Sequence, residues 1–292
     1  MPFLQLTLEL GKTDPEQAEA ALFAIGALSV TLEDAADDPI LEPAPGALPL
    51  WPTVNVKALF DGNTPQQQVI DALTEQLDSP VPAHRFELLA DRHWEREWLK
   101  DFHAMQFGER LWICPDGQRP DDADAIIVDL DPGLAFGTGT HPTTAMCLQW
   151  LDQHAPQGHS VIDYGCGSGI LAIAALKLGA AHVHGVDIDP QALLASRDNA
   201  ERNHVGAALT LSLNDHDLQP ADLVIANILA GPLESLAPRL AELTKANGHI
   251  VISGVLTEQA QAVQNRYATW FEMQPITTQG DWARLCGIRL TN

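Results

Sequence analysis

Basic residues are scarce in this chain. Lysine and arginine number 16 against 39 aspartates and glutamates, a formal net charge of −23. Contact along a phosphate backbone needs clustered Lys and Arg, so direct nucleic-acid binding and attachment to an anionic membrane are not expected. The same acidity suits a basic protein partner through long-range steering, or equally a well-solvated surface. Cysteine is sparse as well. Cys114, Cys147, Cys166 and Cys286 are scattered, with no C-x-x-C pair. Neither a disulfide framework nor a zinc site follows, and no metal is expected. No run reaches the ~18 apolar residues of a membrane helix. The stretch Met1–Leu10 alternates apolar and polar residues and lacks a basic leader, so it reads as a strand rather than a signal peptide. A soluble cytoplasmic chain acting as a monomer is expected.

At 292 residues, 46% of them hydrophobic, the chain can build two domains with sizeable cores. Residues 3–10 read as a strand. Asp14 is placed to cap a helix with Pro15 at its first position, apolar residues at 18, 21, 22 and 25, and Gly26 ending it. Ser29–Glu33 and Thr53–Phe60 read as strands around the acidic, Pro- and Ala-rich loop 34–52. After the turn at Asp61-Gly-Asn, Thr64 is expected to cap a helix to about Leu77, and Phe86–Ala90 closes with a strand. The order βαββαβ is the ferredoxin-like α+β plan, assigned to residues 1–90. This part carries 14 acids against Lys12, Lys57 and Arg85, which suits either a module for a basic partner or a solvated face.

Trp94, Trp98, Phe102 and Met105 follow helical spacing, so 91–108 is expected to be a packed helical linker. From 109 to 292 the pattern changes. Strands expected at 110–114 and 125–130 precede a loop at 131–144 and a helix to about 154. Strands then alternate with helices: 161–163, 183–187, 209–212, 222–226 and 249–253 against 169–179, 190–203, 231–244 and 257–268. Two final strands, near 270–278 and 284–290, suggest a hairpin with an antiparallel strand at the sheet edge. Alternation of this kind predicts an α/β domain, a mostly parallel Rossmann-like sheet covered by helices on both faces.

The sharpest motif is Val161-Ile-Asp-Tyr-Gly-Cys-Gly-Ser-Gly169, followed by Val186-Asp-Ile-Asp189. An apolar strand runs into three glycines, which permit tight turns and close approach of backbone to a ligand. A second strand ends in Asp187, 22 residues after Gly165, where an acid can accept hydrogen bonds from two ribose hydroxyls. Dinucleotide folds use Gly-x-Gly-x-x-Gly to seat a pyrophosphate. Here Asp163 precedes Gly165, Gly167 and Gly169; it would repel a pyrophosphate but suits the cationic amino group of a methionine. S-adenosylmethionine (SAM) is therefore the expected cofactor, with Asp163, Gly165, Gly167 and Asp187 in its site. Plain βα packing glycines and a nicotinamide dinucleotide site are the rival readings. Asp189 precedes Pro190 and reads as a helix cap.

Three further segments should converge there. The loop Asp131–Thr144 offers glycines for close approach and hydroxyls, Thr138 among them, for a carboxylate. His141 in it can serve as a general base or pack as an ordinary histidine. Asp215, in Leu213–Asp217, is a candidate adenine contact or a solvated loop acid. Asn227, after strand 222–226, can orient a substrate amine through its side-chain oxygen or cap the helix that follows.

The loop 131–144, together with Asp163–Gly169, Val186–Asp189 and Asn227-Ile-Leu-Ala230, closely resembles the bacterial methyltransferases of ribosomal protein L-eleven. The resemblance spans the whole chain. It implies a class I SAM-dependent methyltransferase domain, a ferredoxin-like domain that recognises the substrate, and a linker that repositions it. It implies methylation of lysine side chains and of the N-terminal amine of a large-subunit ribosomal protein. By motif position Thr144, Gly165, Asp187 and Asn227 are expected to contact SAM or line its pocket, with Asn227 closest to the chemistry. A methyltransferase for a small molecule or RNA is the alternative, and a non-catalytic SAM-binding protein a further one.

Overall fold

The computed structural model describes residues 2–11, 13–36, 50–89, 103–115, 117–130 and 139–291. The chain divides into two compact units, Met1–Glu97 and Trp98–Asn292. The division falls inside the expected linker, most of which lies outside the described residues.

In the first unit, β1 (Phe3–Glu9), α1 (Pro15–Ala24), β2 (Ser29–Asp34), β3 (Val54–Asp61), α2 (Gln66–Leu77) and β4 (Ala83–Leu89) follow the predicted order. The sheet runs β2-β3-β1-β4, with every neighbouring pair antiparallel. This is the ferredoxin-like arrangement. Alternation decides which face is buried: Leu4, Leu6 and Leu8 of β1 meet Val56, Ala58 and Phe60 of β3, and Ala18 and Leu22 of α1 with Val69 and Leu73 of α2 close the core. Asp14 caps α1 as expected, accepting from the Glu16 and Gln17 amides at 2.8 and 3.4 Å. Thr64 does not cap α2. Its amide closes the preceding turn onto Asp61 O at 2.9 Å, so the helix starts later, behind an extended Pro65 with no side-chain cap.

In the second unit, Met105–Phe107 form strand β5, not the end of a helix. β5, which holds Met105 of the apolar stripe, pairs antiparallel with β6 (Leu111–Cys114), which pairs in parallel with β7 (Ile126–Asp129); Trp94, Trp98 and Phe102 lie outside the described residues. After α3 (Pro142–Gln153) come β8 (Ser160–Tyr164), α4 (Ile170–Lys177), β9 (His182–Val186), α5 (Pro190–Arg202), β10 (Leu209–Ser212), β11 (Ala221–Asn227), α6 (Ala230–Glu242), β12 (Thr244–Leu256), α7 (Ala260–Tyr267), β13 (Phe271–Met273), β14 (Thr277–Gln279) and β15 (Trp282–Arg289). The main sheet runs β10-β9-β8-β11-β12-β15-β13, with β14 also on β15. The antiparallel strand is therefore not at the edge: β15 inserts between β12 and β13. The single strand expected at 270–278 is two, separated by Pro275, which has no amide for a ladder.

Period-two alternation sorts side chains to the two faces of this sheet. Leu223 and Ile225 of β11 pack with α3 and α4; Val224 and Ala226 pack with α6 and α7. The chain winds from β8 outward to β10, then returns to β11 on the other side of β8. That reversal opens a crevice over the carboxyl ends of β8, β9 and β11, the usual ligand position in such sheets. No helix among the described residues is long and apolar enough to cross a membrane.

Leu6 is fully buried at the centre of the first unit. Leu6→Ala is expected to cost about 2–5 kcal/mol of that unit's stability, read as an earlier unfolding transition in urea. An unchanged transition would contradict this packing.

Candidate cofactor site

Three glycines carry the chain from β8 into α4, all with positive φ: Gly165 at 80°, Gly167 at 54° and Gly169 at 79°. The turn is held from both sides. The Gly165 and Cys166 amides donate to Val186 O on β9, at 2.7 and 3.0 Å. From α5, Ser196 Oγ donates to Gly167 O at 2.8 Å and Asn199 Nδ2 to Ser168 O at 3.0 Å. A Cβ on Gly165 would run into Ile228 Cγ2, so this glycine is required by closeness as well as by φ.

Asp187 follows β9 and is half-buried. Its Oδ2 accepts from the Gly167 amide at 2.9 Å and its Oδ1 from the Asp189 amide at 3.0 Å. Each carboxylate oxygen keeps acceptor capacity for a hydroxyl. Asp189 caps α5, accepting from Gln191 N at 2.8 Å. Between them Ile188 is 91% exposed, an apolar side chain with no neighbour to cover it.

Asp163 does not face the crevice. Alternation along β8 turns it under the turn, and it is 0% exposed. Its Oδ2 accepts from the Ala172 amide at 2.9 Å. Gly169 stands at the N-cap of α4 with no side chain to offer, and Asp163 reaches from the preceding strand to bond that helix's third amide instead. Oδ1 has no partner among the described residues. Burial pushes the carboxyl up to about 7; the Ala172 amide opposes this and the nearby Asp187 adds to it.

On the other side of the crevice, Asn227 ends β11 and its Nδ2 donates to Thr144 Oγ1 at 3.1 Å. Thr144, on α3, is 3% exposed, so its hydroxyl fixes the amide of Asn227, whose Oδ1 makes no bond among the described residues. Asn227 is not the cap of α6: Leu229 takes that position, and no side chain bonds the helix amides. A bulge on β12 at Gly254, φ 84°, admits the backbone of Ile228 that follows Asn227.

Of the remaining candidates, Thr138 lies outside the described residues. His141 caps α3, hydrogen-bonded through Nδ1 to Thr143 Oγ1 at 2.7 Å and stacked edge-on with Trp282 at 4.8 Å; burial lowers its pKa. Asp215 pairs with Arg239 at 2.8 Å, and that bond holds its carboxyl below the usual range. Sequence reasoning missed Ile188, Arg239, and the pair Ser196 and Asn199. The last had a signal: Ser196, Asn199 and Asn203 form a polar stripe at helical spacing on the buried face of α5.

The glycine turn, an acid at the end of the next strand, an uncovered apolar residue beside it and a fixed amide on β11 suit a nucleoside attached to an amino acid. The residues present fit S-adenosylmethionine: the close backbone would hold the amino-acid half, the Asp187 carboxylate would accept from ribose hydroxyls, and Ile188 would lie against the base. No group of three or more potential metal ligands occurs among the described residues. Fold and site together define a class I SAM-dependent methyltransferase.

Comparison with known proteins takes this further. The family described as "Ribosomal protein L11 methyltransferase (PrmA)" matches residues 2–289. A ribosomal protein L11 methyltransferase from Cellvibrio japonicus is 51% identical over 291 residues, 99% of each chain. One from Pectobacterium atrosepticum is 50% identical over 297 residues, covering all of both chains. The crystal structure of a ribosomal protein L11 methylase from Lactobacillus delbrueckii, 33% identical, superposes with a TM-score of 0.60 over 65% of this chain and 100% of that one. The chain belongs to the ribosomal protein L11 methyltransferase family.

The buried Asp163 has a stability signature. An unfolded aspartate titrates at about pH 4, and burial raises the folded one to about 7. Between these values the folded chain holds a proton that the unfolded chain has released, so stability falls as pH rises through this window and levels off above it. Asp163→Asn keeps an acceptor for the Ala172 amide and cannot ionise. Thermal unfolding should show the variant gaining on the parent between pH 5 and pH 8. Parallel pH profiles would contradict a raised Asp163 pKa.

Proposed function

We propose that this chain transfers methyl groups from S-adenosylmethionine to amino groups of ribosomal protein L11, on lysine side chains and at the N-terminus. The observation that carries this reading is the family match across residues 2–289, which takes in both units and not the cofactor domain alone. The cofactor, when bound, supplies an electrophilic methyl group on a sulfonium. Everything else falls to side chains and backbone of the protein.

The attacking nitrogen must be neutral. A lysine ammonium has a pKa of about 10.4, and desolvation in the crevice lowers it. In this reading Asn227 Oδ1 accepts an N–H from the incoming amine and aims its lone pair; the bond from its Nδ2 to Thr144 Oγ1 at 3.1 Å supports the role. Alignment of this sort is worth roughly 7–11 kcal/mol of barrier in well-oriented systems. His141 is engaged with Thr143 and Trp282 and is not used as a base; the proton leaves to water.

The first unit is assigned to substrate recognition. Its 14 acids against three bases over residues 1–90 favour a basic partner. The same charge disfavours RNA as a direct ligand. A monomer working in the cytoplasm completes the proposal.

Methyl transfer from labelled cofactor into a mixture of ribosomal proteins, resolved by mass spectrometry, tests it. Label is expected in one large-subunit protein, on lysines and the N-terminal amine; no label in any ribosomal protein, from a chain that binds the cofactor, would overturn it. Asp187→Ala should weaken cofactor binding by about ten- to a hundredfold, the loss of charge-assisted hydrogen bonds. Calorimetry showing parental affinity would remove the ribose role of Asp187.

A further inference from the structure

Arg239 lies on α6, outside the segments that border the crevice, yet most of its guanidinium is committed to a loop that borders it. Its Nε donates to Asp215 Oδ2 at 2.8 Å and its Nη2 to Asp215 O at 2.6 Å. One planar fork thus holds both the side chain and the backbone of a single loop residue, a geometry lysine cannot reproduce. The remaining Nη1 reaches Glu242 at 3.2 Å on the surface, where such a pair contributes little. The Tyr164 hydroxyl donates to the same Asp215 Oδ2 at 3.4 Å. Tyr164 is the last residue of β8 and directly precedes Gly165. One carboxylate therefore ties together the end of β8, the loop after β10 and the third turn of α6. Burial first, and Asp215 next, raise the Tyr164 pKa, so the hydroxyl keeps its proton as donor.

The loop is tied on its other side to the ribose acid. The Asp187 amide donates to Ser212 O at 3.2 Å. Ser212 Oγ donates to Asn214 O at 2.8 Å, and the His216 amide to Asn214 Oδ1 at 3.3 Å. β9 and β10 are parallel neighbours in register at Val186 and Ser212. Ile188, 91% exposed, and Leu213, 49% exposed, therefore follow adjacent strand ends. Two uncovered apolar side chains beside the ribose acid suit a planar base, and the braced loop carries one of them.

We propose that Arg239 is a positioning residue for cofactor binding: through Asp215 and Tyr164 it holds loop 213–217 as the wall of the nucleoside end of the pocket. It sets affinity for the adenosine half without touching it. The inference rests on the reading of the crevice as a SAM site.

The test uses the full chain and two ligands, S-adenosylmethionine and 5′-methylthioadenosine, which keeps the nucleoside and lacks the amino-acid half. Arg239→Met should weaken both by the same factor, about ten- to a hundredfold, raising KM for the cofactor while leaving kcat at saturation close to the parent. Arg239→Lys should fall between. Adding Asp215→Asn to Arg239→Met should cost less than the sum of the two separate losses, since the Arg239–Asp215 side-chain bond is common to both. Should Arg239→Met fail to fold, Asp215→Ala is expected to weaken both ligands by one shared factor, since it removes the carboxylate that Arg239 and Tyr164 both bond. Parental affinity for both ligands, or a loss confined to S-adenosylmethionine, would overturn the inference. A parent chain that binds neither ligand would refute the site itself, a result separate from any behaviour of the variants.

Discussion

The structure of the site depends on one hydrogen bond, from the Gly167 amide to Asp187 Oδ2 at 2.9 Å. It fastens the middle of the glycine turn to the end of the neighbouring strand. The Val186 carbonyl and the α5 side chains Ser196 and Asn199 hold the flanks of the same three positive-φ residues. The same carboxylate braces the Asp189 amide that leads into α5. Asp187 thus shapes the crevice before any ligand arrives, and it does so while leaving lone pairs for ribose. Pre-organisation of this kind lowers the ordering cost of binding.

Asp163 works against that background. It sits beneath the turn, fully buried and near a second carboxylate, where ionisation is costly. What it contributes is an acceptor for the third amide of α4, at a helix start where Gly169 has no side chain to give. The glycine is needed for backbone shape and the aspartate supplies the missing cap from six residues upstream. The strand-turn-helix motif therefore satisfies its orphan amide while keeping the crevice side clear. α5 completes the support, with Ser196 and Asn199 accounting for two carbonyls of the turn.

Much of this was legible in the sequence. Alternation and 3.6-residue periodicity anticipated the βαββαβ order of the first unit and the strand–helix alternation of the second. The failures have physical causes. Met105 belongs to an apolar stripe that fits a helix or a strand edge, and pairing with β6 decided for the strand. The last strand's insertion between β12 and β13 depends on long-range pairing that no local pattern encodes. Asp163 was expected to meet the methionine amino group, yet the pleat of β8 turns it inward. Asn227 left two roles open, and the start of α6 behind Leu229, with no side chain on its amides, excluded the capping one. Arg239 was invisible because its partner is a loop residue brought near only by the tertiary fold.

The account turns on Asp187 both shaping the glycine turn and holding the ribose. A crystal structure of the full chain with S-adenosylhomocysteine tests this most directly. Both ribose hydroxyls should lie within hydrogen-bond distance of the Asp187 carboxylate while its bond to the Gly167 amide persists, with the base beside Ile188. A ribose bound elsewhere, or an Asp187 that must release Gly167 to reach it, would contradict the account.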